Sequence, residues 1–186
     1  ATAVTSSASA TGTAGGNSNL KVYGNTISNV NNGIVVVGPT AAADANTGVD
    51  IGGTGGVQAN SITNYGTTGT FSGYVNVSGT VNGILIRNSI GFNISFNTIS
   101  SSVGGVTVGT LNGIQVPAAS STPTATFTNT VNSNIISLQP GATGISTVGI
   151  TYPSGSAKAT STLNMNSNNF KNMGTTVEGA TATTTN

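Results

Sequence analysis

Short stretches of the chain alternate apolar and polar residues with a period of two: VYGNTISNV, GIVVVG, GILIRNSI and FNISFNTIS. Successive side chains of a strand point to opposite faces, so this alternation predicts half-buried strands. No segment sustains a 3.6-residue apolar period, and helical repeats are therefore not expected. The strands fall into a recurring frame: apolar, any, apolar, any, any, Asn, any, then Ile or Phe. Its copies read Leu20, Val22, Asn25, Ile27; then, with a weaker start, Gly55, Val57, Asn60, Ile62; then Phe92, Ile94, Asn97, Ile99. A fourth has Asn129 for the first apolar residue and continues Val131, Asn134, Ile136, and the fifth is Leu163, Met165, Asn168, Phe170. The frame Asn residues are 35, 37, 37 and 34 positions apart.

A second element, Gly followed by Ile, comes after the frame in four units: Gly33-Ile34, Gly83-Ile84, Gly113-Ile114 and Gly144-Ile145. Its distance from the frame Asn varies (8, 23, 16 and 10 residues), so loops of different length separate two fixed strands. Short strands, Gly-rich corners and variable loops in a unit of this size predict a β-solenoid, each strand pairing in parallel with its counterpart one unit away. Inward Ile, Val, Leu and Phe would then stack into one apolar column. Asn25, Asn60, Asn97, Asn134 and Asn168 are expected at equivalent corners. There they would tolerate a left-handed backbone and hydrogen-bond as a ladder along the stack. Gly33, Gly83, Gly113 and Gly144 are expected to supply an unusual φ at the next corner. The competing reading makes each Asn-Gly a type I′ hairpin turn in an antiparallel sandwich. A two-residue hairpin would hold the strand spacing constant, which this sequence does not.

Composition narrows the function. Only 4% of the 186 residues are charged (Lys21, Asp44, Asp50, Arg87, Lys158, Lys171 and Glu178), for a net charge of +1. Gly occurs 27 times, and Thr, Ser and Asn make the surface polar through hydroxyls and amides. Four scattered bases give no footprint for a nucleic-acid backbone, and no polybasic or amphipathic segment suits a membrane surface. No apolar run is long enough to span a bilayer. His and Cys are both absent, which removes the commonest general base, thiolate metal sites and disulfides. Residues 1–16 read as a low-complexity leader or linker, 17–178 as the β-solenoid and 179–186 as a tail.

The stretches VYGNTISNVNNGIVVVG, ANSITN, FNISFNTISSS and LNGIQV resemble the units of right-handed parallel β-helix repeat proteins, the pectate-lyase-like superfamily. The Thr, Asn and Gly bias, with Ile51-Gly52-Gly53, is similar to large repetitive surface proteins exported by type IX secretion in gliding bacteria. The resemblance implies an all-β, right-handed parallel β-helix of about five coils. It says little about activity, because this scaffold carries lyases, tailspikes, adhesins and plain stalks.

Glycoside hydrolysis needs two facing carboxyl groups, and lyases of the resembled family need an acidic calcium cluster with an Arg or Lys base. Asp44 and Asp50 lie in one Gly-rich loop and are candidate ligands of a weak calcium site; the preferred reading is two solvated loop carboxylates. Arg87 follows GlyIleLeuIle and reads as a solvated charge rather than a lyase base, and Lys21 as an outward charge on a β-face. No Ser has a His to activate it. Tyr23, Tyr65, Tyr74 and Tyr152 could stack sugars, but their places in the repeat differ and scattered surface positions are preferred. Thr122, Thr124, Thr126, Thr128 and Thr130 alternate on one face as an ice-ordering array would. Aligned on the frame Asn, Thr126 and Thr128 meet Thr160 and Thr162, whereas the preceding unit offers Ser89 and Gly91.

The sequence therefore predicts a non-enzymatic structural or adhesive segment, without catalytic residues or cofactor, of a secreted or cell-surface bacterial protein. Its expected partners are adjoining modules of the same polypeptide, an end-covering protein, or surface glycans; nucleic acid and membrane insertion are not expected. The alternatives are a carbohydrate-binding or polysaccharide-cleaving β-helix with its active residues elsewhere, and an ice-binding β-solenoid. Neither end carries an evident cap, so the native polypeptide is expected to continue beyond both ends or to be covered there by another protein, and the 186 residues alone to self-associate end to end or aggregate.

Overall fold

The computed structural model describes residues 16–41, 44–66, 80–102, 109–117, 125–141, 145–152 and 161–172, together with the backbone of 2–7. The architecture is all-β with stacked parallel strands, and a 3-10 turn lies at Gly56–Gln58. Three sheets, A, B and C, each hold five strands.

Sheet A contains β1 (Thr2–Ser7), β4 (Asn32–Val37), β8 (Val81–Arg87), β12 (Thr110–Gln115) and β15 (Ser146–Thr151). Sheet B contains β2 (Lys21–Val22), β6 (Asp50–Ile51), β10 (Asn93–Ser95), β13 (Thr128–Asn132) and β16 (Thr162–Asn166). Sheet C contains β3 (Thr26–Ser28), β7 (Ser61–Tyr65), β11 (Thr98–Ser101), β14 (Ile135–Ser137) and β17 (Asn169–Lys171). A two-stranded sheet D pairs β5 (Asn46–Thr47) with β9 (Ser89–Ile90) in the connections from A to B.

The chain thus visits A, B and C in turn, and one such visit is a rung. Within every sheet the spatial order of strands follows the chain order. All strand pairings among the described residues are parallel. The Asn-Gly pairs at Asn32-Gly33, Asn82-Gly83 and Asn112-Gly113 lie inside strands of sheet A, not in hairpin turns.

Strand alternation builds the core. Sheet C aligns Ile27, Ile62, Ile99, Ile136 and Phe170; the first four are buried. Phe170 remains 39% exposed on the outermost strand. Sheet B aligns Val22, Ile51, Ile94, Val131 and Met165. Sheet A aligns Ile34, Ile84, Ile114 and Ile150. Ile99, at the middle rung, is 0% exposed. Ile99→Ala should cost about 2–5 kcal/mol, the usual range for truncating a buried aliphatic side chain. Reversible denaturant unfolding checks this, and a change below about half a kcal/mol would place the side chain outside the core.

Four features depart from the sequence reading. The second rung enters sheet B through Asp50-Ile51, not through Gly55 and Val57; Val57 is 98% exposed in the 3-10 turn. Residues between Ile51 and Asn60 are thus an insertion. It leaves the rung through Gly52 (φ 97°) and Gly53 (φ 69°), a backbone that glycine adopts without strain. Gly33, Gly83 and Gly113 do not have positive φ. They lack a side chain for a steric reason: a Cβ on Gly83 would lie 2.3 Å from Cγ2 of Ile99 and 2.8 Å from the Gly113 carbonyl oxygen. Gly144 lies outside the described residues, and the equivalent place in β15 is taken by Gly149, whose carbonyl oxygen would lie 2.5 Å from a Cβ on Gly113. Finally, Thr2–Ser7 lies in the segment read as a leader, yet it pairs in parallel with β4.

Candidate functional site

The densest polar arrangement is the corner between sheets B and C, where the five frame Asn residues stand in line. Asn25 Nδ2 donates to Asn60 Oδ1 at 2.9 Å, and Asn60 Nδ2 to Asn97 Oδ1 at 2.9 Å. Asn97 Nδ2 donates to Asn134 Oδ1, and Asn134 Nδ2 to Asn168 Oδ1, each at 3.0 Å. Each acceptor oxygen also receives the backbone N–H of the preceding Asn. The remaining amide hydrogen reaches back one rung, from Asn60 to Val22 O, Asn97 to Ile51 O, Asn134 to Ile94 O and Asn168 to Val131 O. One amide therefore ties three rungs together. Asn60, Asn97 and Asn134 are buried, so their four hydrogen-bonding positions must be filled internally.

At four of the five corners the residue before the Asn is left-handed: Gly24, Phe96, Ser133 and Ser167 have φ of 63°, 63°, 56° and 55°, whereas Ala59, which ends the insertion before Asn60, has φ −57°. None of the five ladder Asn residues has positive φ. This differs from the expected corner geometry, and the reason is orientation. At those four corners the preceding residue makes the bend, which leaves the Asn backbone free to aim its N–H along the stack.

A second, shorter ladder runs through sheet A with opposite polarity. Asn82 Nδ2 donates to Asn32 Oδ1 at 3.3 Å and Asn112 Nδ2 to Asn82 Oδ1 at 3.1 Å. Val148 occupies the next place and ends it.

Asp50 is the centre of the one described cluster that contains an acid and could resemble a reactive site. It stands on the outer face of sheet B in a column with Lys21, Asn93, Thr130 and Asn164. Its Oδ2 accepts from the Tyr23 hydroxyl at 2.5 Å. Its Oδ1 accepts from Asn93 Nδ2 at 2.7 Å and from the Gly53 N–H at 3.1 Å. Asn93 Nδ2 also donates to the Gly53 carbonyl at 2.9 Å, and Ser95 Oγ to Asn93 Oδ1 at 2.6 Å. The network fastens the start of the insertion to neighbouring rungs. Three donors already face the carboxylate, and a cation would have to displace them.

Asp44 contributes nothing to that cluster. It precedes β5, its N–H donates to the Ala41 carbonyl at 3.0 Å, and its Oδ1 is shielded without a hydrogen-bond partner. The described residues hold no group of three or more His, Cys, Asp or Glu suited to a metal ion. Arg87 ends β8 exposed, and Lys21 is exposed on β2.

The tyrosines are not one platform. Tyr65 is wholly buried, its hydroxyl donating to the Asn112 carbonyl at 2.7 Å, and burial pushes its pKa well up. Burial also raises Tyr152, against a hydrogen bond from Asn129 that lowers it. Tyr74 lies outside the described residues. Tyr23 is pushed up to about 12, chiefly by its hydrogen bond to Asp50, then by burial and the carboxylate charge. A raised folded-state pKa means that the contact stabilises fully below the unfolded value of about 10 and is lost as pH rises through 12. Tyrosinate absorbance titrations of the wild type and of Tyr23→Phe should differ by one late-ionising group. In Asp50→Asn that group should ionise closer to its ordinary range; an unchanged late step would mean that Asp50 is not the cause.

Of the alternating threonines, Thr122, Thr124 and Thr160 lie outside the described residues. Thr128 pairs with Thr162, but Thr130 pairs with Asn93 and Asn164, so no hydroxyl array continues on sheet B. The outer face of sheet C carries one instead. Thr26, Ser61 and Thr98 form one column, and Ser28, Thr63, Ser100 and Ser137 another, with Ile135 interrupting the first. No protein-family model matches the chain, and no curated protein or solved structure is significantly similar to it.

Proposed function

We propose that the chain is a right-handed parallel β-helix serving as a structural or adhesive segment of a secreted bacterial cell-surface protein, of the kind exported by type IX secretion. The cyclic passage through three parallel sheets supports a solenoid path, and parallel crossover connections are right-handed in about 98% of cases. The observation that carries the function is where the reactive side-chain types are spent. Asp50, the buried Asn amides and the Tyr65 hydroxyl all point at neighbouring rungs, where they hold the stack together. Among the described residues the outside is mostly Thr, Ser and Asn with few charges, Lys21 and Arg87 among them, a surface suited to reach, display and contact with glycans.

Incubation with plant, algal and bacterial polysaccharides, with and without calcium, should release no product. Calcium-dependent formation of unsaturated ends, abolished by Asp44→Ala or Asp50→Ala, would replace the structural role with that of a lyase.

The hydroxyl columns of sheet C favour ice binding as a second reading. Ranks about 4.8 Å apart along the stack, with side chains repeating about every 6.6 Å along each strand, make a flat grid. On that reading the protein slows ice recrystallisation, and Thr63→Lys abolishes the effect without unfolding the chain. Crystals that coarsen as fast as in buffer would remove it.

A further inference from the structure

We propose that Asn82-Gly83 and Asn112-Gly113 are spontaneous modification sites that the fold holds inert, and that their conversion to isoaspartate or aspartate makes opening of sheet A irreversible. The chain has three Asn-Gly pairs, at 32–33, 82–83 and 112–113, and all stand at matching places in that sheet.

Packing fixes the glycine, and hydrogen bonding fixes the asparagine. A Cβ on Gly83 would meet Ile99 Cγ2 at 2.3 Å, and one on Gly113 would meet the Gly149 carbonyl oxygen at 2.5 Å and Ile136 Cγ2 at 2.6 Å. Beside these glycines Asn112 Nδ2 donates to Asn82 Oδ1, and Asn82 gives both its Nδ2 and its backbone N–H to Asn32 Oδ1. Successive rungs therefore require the pair in which an Asn amide is least defended from its own backbone. Asn is thermolabile, and a following glycine nitrogen has no neighbouring Cβ to obstruct its approach.

In an opened chain the Gly83 nitrogen loses its proton and attacks Cγ of Asn82. The bond from Cγ to the side-chain nitrogen breaks, ammonia leaves and a cyclic succinimide remains. Water then opens the ring at one of its two carbonyl carbons. One opening gives aspartate; the other gives isoaspartate, whose main chain runs through the former side-chain methylene. The folded chain blocks the first step. Asn82 and Asn112 are 5% and 2% exposed, their amides are held by neighbouring rungs, and β8 and β12 are interior strands whose N–H groups serve the ladder.

Neither product fits back. Isoaspartate lengthens an interior strand by a methylene and breaks its register with both neighbours. Aspartate at 82 turns an oxygen toward Asn32 Oδ1, and at 112 toward Asn82 Oδ1, where amide hydrogens had been. A buried carboxylate aimed at an acceptor opposes folding. Each opening that lasts long enough for ring closure thus removes a chain from the folding equilibrium, and the lifetime of the protein becomes a rate rather than a free energy.

The test compares the full chain folded and unfolded in guanidinium chloride, both at mildly alkaline pH. Peptide mapping, with isoaspartate-specific methylation, follows residues 82 and 112. Conversion in the folded protein should be at least about a hundredfold slower, since folded proteins populate opened states in about one molecule in a thousand or fewer. Denaturant is then diluted out, beside chains held unfolded for the same time at mildly acid pH, where the glycine nitrogen keeps its proton. Recovery of folded protein should fall in step with conversion in the alkaline arm only. Should the acid-held chains fail to refold, Asn82→Asp and Asn112→Asp decide, and both should unfold at lower denaturant than the wild type at neutral pH. Equal conversion in folded and unfolded protein, isoaspartate at 82 or 112 in the refolded fraction, or aspartate variants as resistant as the wild type would each overturn the proposal.

Discussion

Replacing Asn97 with Ala is expected to destabilise the protein by at least about 3 kcal/mol, because the change strands three buried groups at about 1–3 kcal/mol each. Asn97 is 0% exposed and accepts from both the backbone N–H and the side-chain amide of Asn60. It donates to Ile51 O and Asn134 Oδ1. Ala fills neither role, and the space it leaves lies between rungs that pack at strand spacing. Asn97→Asp separates hydrogen bonding from volume. The carboxylate keeps the shape and can still accept from Asn60, but it aims oxygen at the Ile51 and Asn134 oxygens. At neutral pH the loss should equal or exceed that of Ala. It should shrink as pH falls, since a carboxyl buried against acceptors has its folded-state pKa raised and is relieved once protonated. Asn168→Ala is the internal control, because among the described residues that ladder position supports a rung on one side only. Equal, small losses at positions 97 and 168 in reversible unfolding would show that the ladder contributes little.

The ladder was legible in the sequence because it depends on spacing alone. Five Asn residues at near-constant intervals must share a role if the chain repeats, and an amide offers both a donor and an acceptor along the repeat axis. The sheet-C column was legible for the same reason, since Ile62, Ile99 and Ile136 each stand two residues after a frame Asn. What spacing conceals is insertion. Between Ile51 and Asn60 the chain leaves the rung and returns, so counting back from Asn60 reaches Val57, a solvent-exposed residue. The better clue was chemical: Lys21-Val22, Asp50-Ile51 and Asn93-Ile94 share a polar-then-apolar order. Aligning them would have put Asp50 beside Asn93 and brought Tyr23 near its carboxylate. Gly144-Ile145 and Gly149-Ile150 both fit the Gly-Ile pattern. Only strand register distinguishes them, and register is a property of two chains of residues rather than one. The low-complexity look of Thr2–Ser7 has the same origin, for its pairing with β4 depends on what β4 presents.

Gly83→Ala, a single added methyl, should destabilise the protein by about 3 kcal/mol or more, at the upper end of overpacking costs. The new Cβ would lie 2.3 Å from Ile99 Cγ2, 2.8 Å from the Gly113 carbonyl oxygen and 3.4 Å from Tyr65 Cε1. None of these neighbours can retreat at low cost. Ile99 is fully buried in the sheet-C column, Tyr65 is held by its hydroxyl, and the Gly113 oxygen belongs to the adjacent strand of the same parallel ladder. The φ of Gly83 is ordinary, so the cost is one of space and not of backbone strain. Gly55→Ala, where a Cβ meets nothing within 4 Å, should by contrast be close to neutral. The two parts of the clash can be told apart with Ile99→Val, which retains both γ-carbons including Cγ2, and Ile99→Ala, which removes them. In a double-mutant cycle Gly83→Ala should be partly rescued by Ile99→Ala and little changed by Ile99→Val. The residual penalty in the rescued pair is the contact with the Gly113 oxygen, which no side-chain change relieves. Full additivity across the cycle would mean that sheets A and C do not meet at these residues, and that the close approach inferred for every Gly of the series is wrong.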